Sequence, residues 1–293
     1  MTVSLLSEQY LRSNPLPNHD DGRGKEGRGR VLIIGGSVNV PGAALLAGLG
    51  ALRSGAGVLQ IATCRSVASH LALAMPEAMV IPCDEQNEDI SPSAASKLIA
   101  AAEQCDALLI GPGMIDKSVA GELTQRILSA LPDMNVLLDA AAFTGMTASC
   151  ELLRNRTGKT VVTPHAGEMA AFLKRERADI EADPLNAARD AVKTIGAIVV
   201  MKGSETHIVD ESSAWLSKHG TSALGTSGSG DVLAGVLSGL LARGTTPLLS
   251  VLWGVYLHAM AGVRLCERHG RVGLLARELP AEIPRLMEDL RPL

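Results

Sequence analysis

A parallel β-sheet with helices on both faces, a three-layer α/β/α sandwich, is the fold class this sequence predicts. Three observations carry it. Short apolar β-type runs alternate strictly with helical patterns, and those runs show little inward–outward alternation, as strands buried on both faces do. Hydrophobic residues make up 46% of the 293 positions but aromatics only 2%, so the core is built from Ala, Val, Leu, Ile and Gly. Such small side chains suit helices packed closely on a sheet.

Residues 1–29 read as a polar N-terminal extension. It ends in the run from Asp20 to Gly29, whose alternating glycine and charge read as a mobile connection. Strands are then expected at Val31–Ile34, Val58–Thr63, Ala78–Ile81, Ala107–Ile110, Val136–Leu138, Thr160–Thr163 and Ile198–Met201. Helical patterns lie between them, at Gly42–Ser54, Ala94–Glu103, Ala120–Leu131, Gly167–Lys174 and Leu185–Ile195. Thr206–Val209 and Ala214–Leu216 read as an antiparallel hairpin at one edge of the sheet. The final third is mostly helix. Leu233–Arg243 is stopped by Gly244, and Leu248–Val263, which carries His258, falls short of the roughly 20 residues that cross a bilayer. It reads as a buried helix. No composition break follows, so residues 30–293 are expected to form a single domain.

The net charge of −4 and the scarcity of aromatics argue against a nucleic-acid surface or an anionic membrane as partner. Five cysteines, an odd count with no Cys-Xaa-Xaa-Cys pair, read as reduced and buried. With no signal-peptide pattern at the N-terminus, a cytoplasmic location is expected.

The segment Gly225-Thr226-Ser227-Gly228-Ser229-Gly230-Asp231-Val232 opens into the Leu233–Arg243 helix. Three glycines and three hydroxyl residues leave backbone N–H groups free, and the helix aims its positive end at the same spot. Ser227, Gly228, Ser229 and Gly230 are therefore candidates for an anion hole. Asp231, at its mouth, is a candidate base for an attacking hydroxyl. The helix also carries Ala234, Gly235, Ser238, Gly239 and Ala242. Interior glycine costs about 0.5–1 kcal/mol relative to alanine, so this stripe implies the close approach of another element.

In an open parallel sheet the site lies beyond the carboxyl ends of the strands. Gly35-Gly36-Ser37, Gly111-Pro112-Gly113, Asp139, Thr163–Glu168 and Lys202-Gly203 all fall there. Dinucleotide-fingerprint and Walker A spacings are both missing. Asp139 is placed either to face Mg²⁺ or to cap the next helix. His165 is placed to donate to a ligand amide or phosphate, and Glu168 to sit in a first helical turn. Lys202–Thr206 serves equally as a plain turn or as a contact for phosphate or ribose. Pro41-Gly42-Ala43-Ala44 suits either a ligand close to backbone or tight helix–sheet packing.

Gly225–Gly235 with the Lys202–Thr206 turn resembles the ribokinase-like superfamily, which phosphorylates small-molecule hydroxyls. Gly35–Ser37, Pro41–Ala44, Thr163–Glu168 and Arg271–Ala276 narrow the resemblance to the bacterial ADP-dependent NAD(P)H-hydrate dehydratases, from about Arg30 to the C-terminus.

The resemblance implies a ribokinase-like catalytic domain acting on the S form of NADH or NADPH hydrated at C6 of the nicotinamide ring. NAD(P)H is restored, and AMP and phosphate are by-products. It makes Asp231 the base and places Ala43, Gly113, His165 and Asp231 against the hydrate. Lys202, Gly203, Ser204, Glu205, Thr206 and Gly230 fall in the site for ADP (or ATP). Mg²⁺ is implied on the nucleotide phosphates, with no protein ligand assigned, and a homotetramer is implied. A separate epimerase that interconverts the R and S hydrates is the expected functional partner, since nothing before Arg30 is long enough to be one. A vitamin-precursor or sugar kinase of the same superfamily is the alternative, because it shares the nest and the base. Two departures stand out: Met114-Ile115 where relatives carry Leu-Gly, and Ala141 where they carry an acid.

Overall fold

The computed structural model describes residues 2–18 and 24–291. Twelve strands are formed among them: β1 (Val3–Leu5), β2 (Arg30–Ile34), β3 (Val58–Cys64), β4 (Ala78–Cys83), β5 (Glu85–Gln86), β6 (Asp89–Ile90), β7 (Ala107–Ile110), β8 (Val136–Leu138), β9 (Thr160–Val162), β10 (Ile198–Met201), β11 (Thr206–Val209) and β12 (Ala214–Ser217). The helices are α1 (Glu8–Ser13), α2 (Pro41–Arg53), α3 (Arg65–Ala74), α4 (Ala95–Ala102), α5 (Lys117–Ala130), α6 (Ala140–Thr144), α7 (Cys150–Arg154), α8 (Ala166–Leu173), α9 (Arg177–Ala182), α10 (Pro184–Ile195), α11 (Ser229–Ala242), α12 (Pro247–His269) and α13 (Leu279–Asp289).

Ten strands make one sheet in the order β1-β12-β11-β10-β9-β8-β7-β2-β3-β4, while β5 and β6 form a small hairpin apart from it. Only β11 runs against the others; every other pairing in the sheet is parallel. Strand β2 shows why the apolar runs lack alternation. Leu32 and Ile34 enter one apolar cluster and Val31 and Ile33 the other, all fully buried. Helices cover both faces, so both sides of the pleat are core.

Between β2 and β7 the chain changes direction across the sheet, and the loops that leave these strands are tied together. Gly36 N–H donates to the Pro112 carbonyl at 2.7 Å, and Ser37 N–H donates to that of Gly113 at 3.1 Å. This is the topological switch point, where open α/β sheets form their crevice.

The small-residue stripe of α11 meets α2 backbone to backbone. A Cβ on Gly235 would run into the Ala47 carbonyl oxygen, and one on Gly239 would lie 2.5 Å from that of Ala51. Gly50 of α2 answers from the other side, where a Cβ would stand 2.6 Å from the Val232 carbonyl oxygen. The predicted close approach is therefore real, and it sets the position of the α11 N-terminus.

Four expectations need correction. The first 29 residues do not stand apart: β1 pairs in parallel with β12, and Leu6 and Leu11 are fully buried. Trp253 Nε1 donates to the Asn14 carbonyl at 2.8 Å. The polar end of the segment masked an apolar beginning. The β11–β12 hairpin is consequently not the sheet edge, because β1 covers it. Of the 20–29 run, residues 20–23 lie outside the described residues, whereas the Gly29 carbonyl accepts from Gly57 and Val58 at 3.0 and 3.1 Å, tying it to β3. Finally, α12 is 23 residues long, enough by length and composition to cross a bilayer, but 72% of its apolar window is buried inside the fold.

Candidate active site

Asp139 follows β8, Thr163 and His165 follow β9, and Lys202 follows β10. Parallel pairing sets these strand ends side by side, and a further parallel bridge joins His165 to Lys202. Asp139 Oδ1 accepts from Thr163 Oγ1 at 2.6 Å and from Lys202 Nζ at 3.1 Å. Lys202 Nζ also lies 3.9 Å from Glu168 Oε2. Asp139 occupies the N-cap position of α6 but makes no side-chain capping bond, so the capping role is not the one taken. Ala140, directly after it, holds φ 48°, a left-handed conformation costly for a residue with a Cβ.

His165 caps α8. Its Nδ1 accepts from the N–H groups of Gly167 at 3.0 Å and Glu168 at 3.3 Å, while Glu168 Oε2 accepts from His165 N–H at 2.8 Å. With Nδ1 accepting from two N–H groups, the ring N–H is on Nε2, which stands 3.7 Å from Glu168 Oε1 on an exposed side chain. Glu168 sits in the first turn, as expected.

Helix α11 starts at Ser229, four residues before the Leu233 start expected, so Gly230 and Asp231 form its first turn. Gly228 precedes it with φ 86°, and a Cβ there would meet the Leu46 side chain. The Asp231 carboxyl is pushed up to about 7, by burial first and then by Asp139, with Glu168 adding and Lys202 opposing. Burial pulls the Lys202 ammonium down, but Asp139, Glu168 and Asp231 outweigh it and the net shift is upward. A base that titrates near neutrality is matched to proton abstraction.

A cavity of about 560 Å³ opens beside this cluster, lined by His165, Lys202, Gly203, Ser204, Thr206, Ser229 and Gly230. Ser217, Gly220, Thr221, Ser222, Leu224, Gly225, Thr226, Leu233, Val255, His258 and Ala259 complete its wall. Ala43, Gly113, Glu205, Ser227, Gly228 and Asp231 are not in this lining. Glu205 is exposed and pairs with Lys218 at 3.4 Å. Ala43 is buried, and a Cβ on Gly113 would stand 2.7 Å from the Ala43 Cβ, so those two positions do share one place.

The anion hole also needs correction at Ser229. Its N–H donates to the Thr226 carbonyl at 3.3 Å and is not free, because the Gly228 turn closes on itself. Its hydroxyl instead meets His258 Nε2 at 3.1 Å. The sequence shows His258 only as one residue of the Leu248–Val263 run, since nothing local shows that α12 brings it to the α11 N-terminus. The grouping of Asp139 and Glu168 around Lys202 was likewise legible only as separate strand-end residues.

Among the described residues no three His, Cys, Asp or Glu side chains gather as a metal cage. Lys202 fills the space among the acids.

The NAD(P)H-hydrate dehydratase family profile matches residues 31–285. The chain is 44% identical over 290 residues to the ADP-dependent (S)-NAD(P)H-hydrate dehydratase of Xanthomonas campestris, covering 98% of this chain and 97% of that one. It is 31% identical to the bifunctional NAD(P)H-hydrate repair enzyme Nnr of Moorella thermoacetica, of which it spans 54%. The fold is similar to the ADP/ATP-dependent NAD(P)H-hydrate dehydratase of Bacillus subtilis co-crystallized with ATP/Mg²⁺ (TM-score 0.83, 29% identity, 99% and 100% of the two chains). It also matches a ribokinase-like superfamily protein of Enterococcus faecalis (TM-score 0.85, 24% identity, 99% and 96%).

Proposed function

The chain belongs to the NAD(P)H-hydrate dehydratase family and dehydrates the S form of C6-hydrated NADH or NADPH with consumption of ADP; we propose that Asp231 and the cavity beside Lys202 carry out that reaction. The observation that carries the assignment is the Asp231 carboxyl, raised to about 7 in the first turn of α11 beside a nucleotide-sized cavity.

Hydroxide is a poor leaving group and phosphate a good one. Asp231 takes the proton of the C6 hydroxyl as its oxygen attacks the terminal phosphorus of ADP, and the bond to the bridging oxygen breaks to release AMP. Charge growing on the transferred group is met by the N-terminus of α11 and by N–H groups of its first turn. The ring nitrogen lone pair then expels phosphate, and loss of a C5 proton restores the dihydropyridine. His165 Nε2, Ala43 and Gly113 are proposed to hold the hydrate. Lys202–Thr206 and Gly230 are proposed to hold the nucleotide, with Lys202 also balancing the charge of Asp139 and Glu168.

Mg²⁺ is proposed to enter on the nucleotide phosphates. The donor set supports this, because Lys202 Nζ already occupies the position between Asp139 and Glu168 where a protein-held cation would sit. No step is routed through the ion. A homotetramer in the cytoplasm and an epimerase as functional partner are further proposals. Family resemblance supports the tetramer, the unpaired cysteines support the location, and the longer bifunctional relatives support the partner. The relatives are dehydratases, which favours this reading over the kinase alternative.

The test is recovery of near-ultraviolet NADH absorbance from the S-hydrate with Mg²⁺ and ADP, run beside ATP. A flat trace with both nucleotides rejects the assignment.

A further inference from the structure

His258 lies near the middle of α12, buried at 8% exposure, and borders the cavity that Lys202 also lines. Its Nε2 stands 3.0 Å from the Ser229 carbonyl oxygen and 3.1 Å from Ser229 Oγ. A carbonyl oxygen only accepts, so Nε2 carries the proton. Burial pulls this imidazole down to about 4, against an upward pull from the Ser229 backbone bond, which keeps the ring neutral at physiological pH. Ser229 Oγ therefore accepts from the same N–H, and its own hydroxyl proton is left to point elsewhere. The Ser229 amide is already closed by Thr226, and Ser229 itself lines the cavity.

We propose that His258 is a positioning residue for phosphoryl transfer: its single N–H holds both oxygens of Ser229, which fixes the first turn of α11 and turns the Ser229 hydroxyl proton toward the nucleotide phosphate. Gly230 and Asp231 follow Ser229 directly, so the same clamp sets the register of the base against the cavity. The proposal rests on the reading of this cavity as the nucleotide site. It assigns Ser229 a donor role through the hydroxyl in place of the amide.

Three substitutions, two of them also combined, test it: His258→Leu, which removes the donor; His258→Gln, whose side-chain amide restores one; and Ser229→Ala. Displacement of a reacting group by an ångström costs on the order of a hundredfold in rate, so His258→Leu is expected to lose roughly tenfold to a hundredfold in kcat, with a smaller rise in the KM for ADP. His258→Gln should recover most of that loss. Ser229→Ala combined with His258→Leu should lose no more than the larger single effect, because the two act as one unit. Calorimetric titration with ADP and Mg²⁺ should show weakened binding in His258→Leu. Unchanged kcat and ADP binding in a folded His258→Leu protein would overturn the proposal. So would equal losses in the Gln and Leu variants, or multiplicative losses in the double variant. If the wild-type protein fails to act on the hydrate, the dehydratase reading falls, and the calorimetric arm still decides whether His258 shapes a nucleotide site.

Discussion

Lys202 Nζ and Asp139 Oδ1 meet at 3.1 Å, 63 residues apart in sequence, across the end of the strand that lies between their own. Thr163, at the end of that middle strand, donates its hydroxyl to the same Asp139 oxygen. One ammonium therefore answers three carboxylates, two of them neighbours of Asp231. Burial first, then Asp139 and Glu168 acting against Lys202, pushes the Asp231 carboxyl up to about 7.

The rate should follow that ionisation. kcat/KM for the hydrate at saturating ADP is expected to rise with pH, with an inflection near 7, as the Asp231 carboxyl becomes the base. Lys202 favours the ionised form, so Lys202→Met should move the rising limb to higher pH. An unmoved limb, measured by the absorbance assay across pH 5.5–9, would remove Asp231 from the base role.

Asp231→Asn should bind nucleotide but lose activity by a factor on the order of 10²–10⁴. Its stability carries an independent signature. The folded carboxyl titrates near 7 against an ordinary value of 3.8, so its favourable, protonated contribution is complete at low pH and is lost as pH rises through 7. The Asn variant should match wild type near pH 4 and melt a few degrees higher, roughly, above pH 8. Thermal scans at both pH values check this.

Asp89 governs the loop where this chain departs from its relatives. Fully buried, it accepts with Oδ2 from the N–H groups of Ile115 at 2.9 Å and Asp116 at 2.5 Å. Ile115, the second of the two departing residues, is thus held together with Asp116 by the Asp89 side chain of β6. Asp89→Ala should raise the KM for the hydrate about tenfold while leaving the KM for ADP within about twofold. Steady-state kinetics in both substrates separates the two.

Backbone contact between α2 and α11 should tolerate nothing larger than glycine. Gly235→Ala, whose Cβ would collide with the Ala47 carbonyl, is expected to destabilise by about 3 kcal/mol or more. Gly42→Ala, with nothing within 4 Å of its Cβ, should be neutral or slightly stabilising. Urea unfolding of the two variants provides the comparison.

Periodicity made most of the sheet legible, because strands such as Ala107–Ile110 and Val136–Leu138 are buried on both faces and leave an unbroken apolar run. The loop before α11 was legible too, since glycine and hydroxyl residues in that density have few structural uses. The N-terminal strand was not. Val3–Leu5 is three residues long, and its pairing with β12 joins segments more than 200 residues apart. His258 was missed for a similar reason: one polar residue on an apolar helix looks the same whether it is idle or reaches a partner.

Sequence alone determined the layered fold and singled out strand-end residues and Asp231 as the candidates on which the proposed chemistry rests, because these depend on local pattern and residue type. Tertiary structure decided how burial and neighbouring charges shift the Asp231 carboxyl and that the Ser229 amide is closed by Thr226. It also decided that Lys202 sits among acids and that His258 grips Ser229. Those outcomes depend on burial and on distances of about 3 Å between segments far apart in the chain, and local pattern does not encode either.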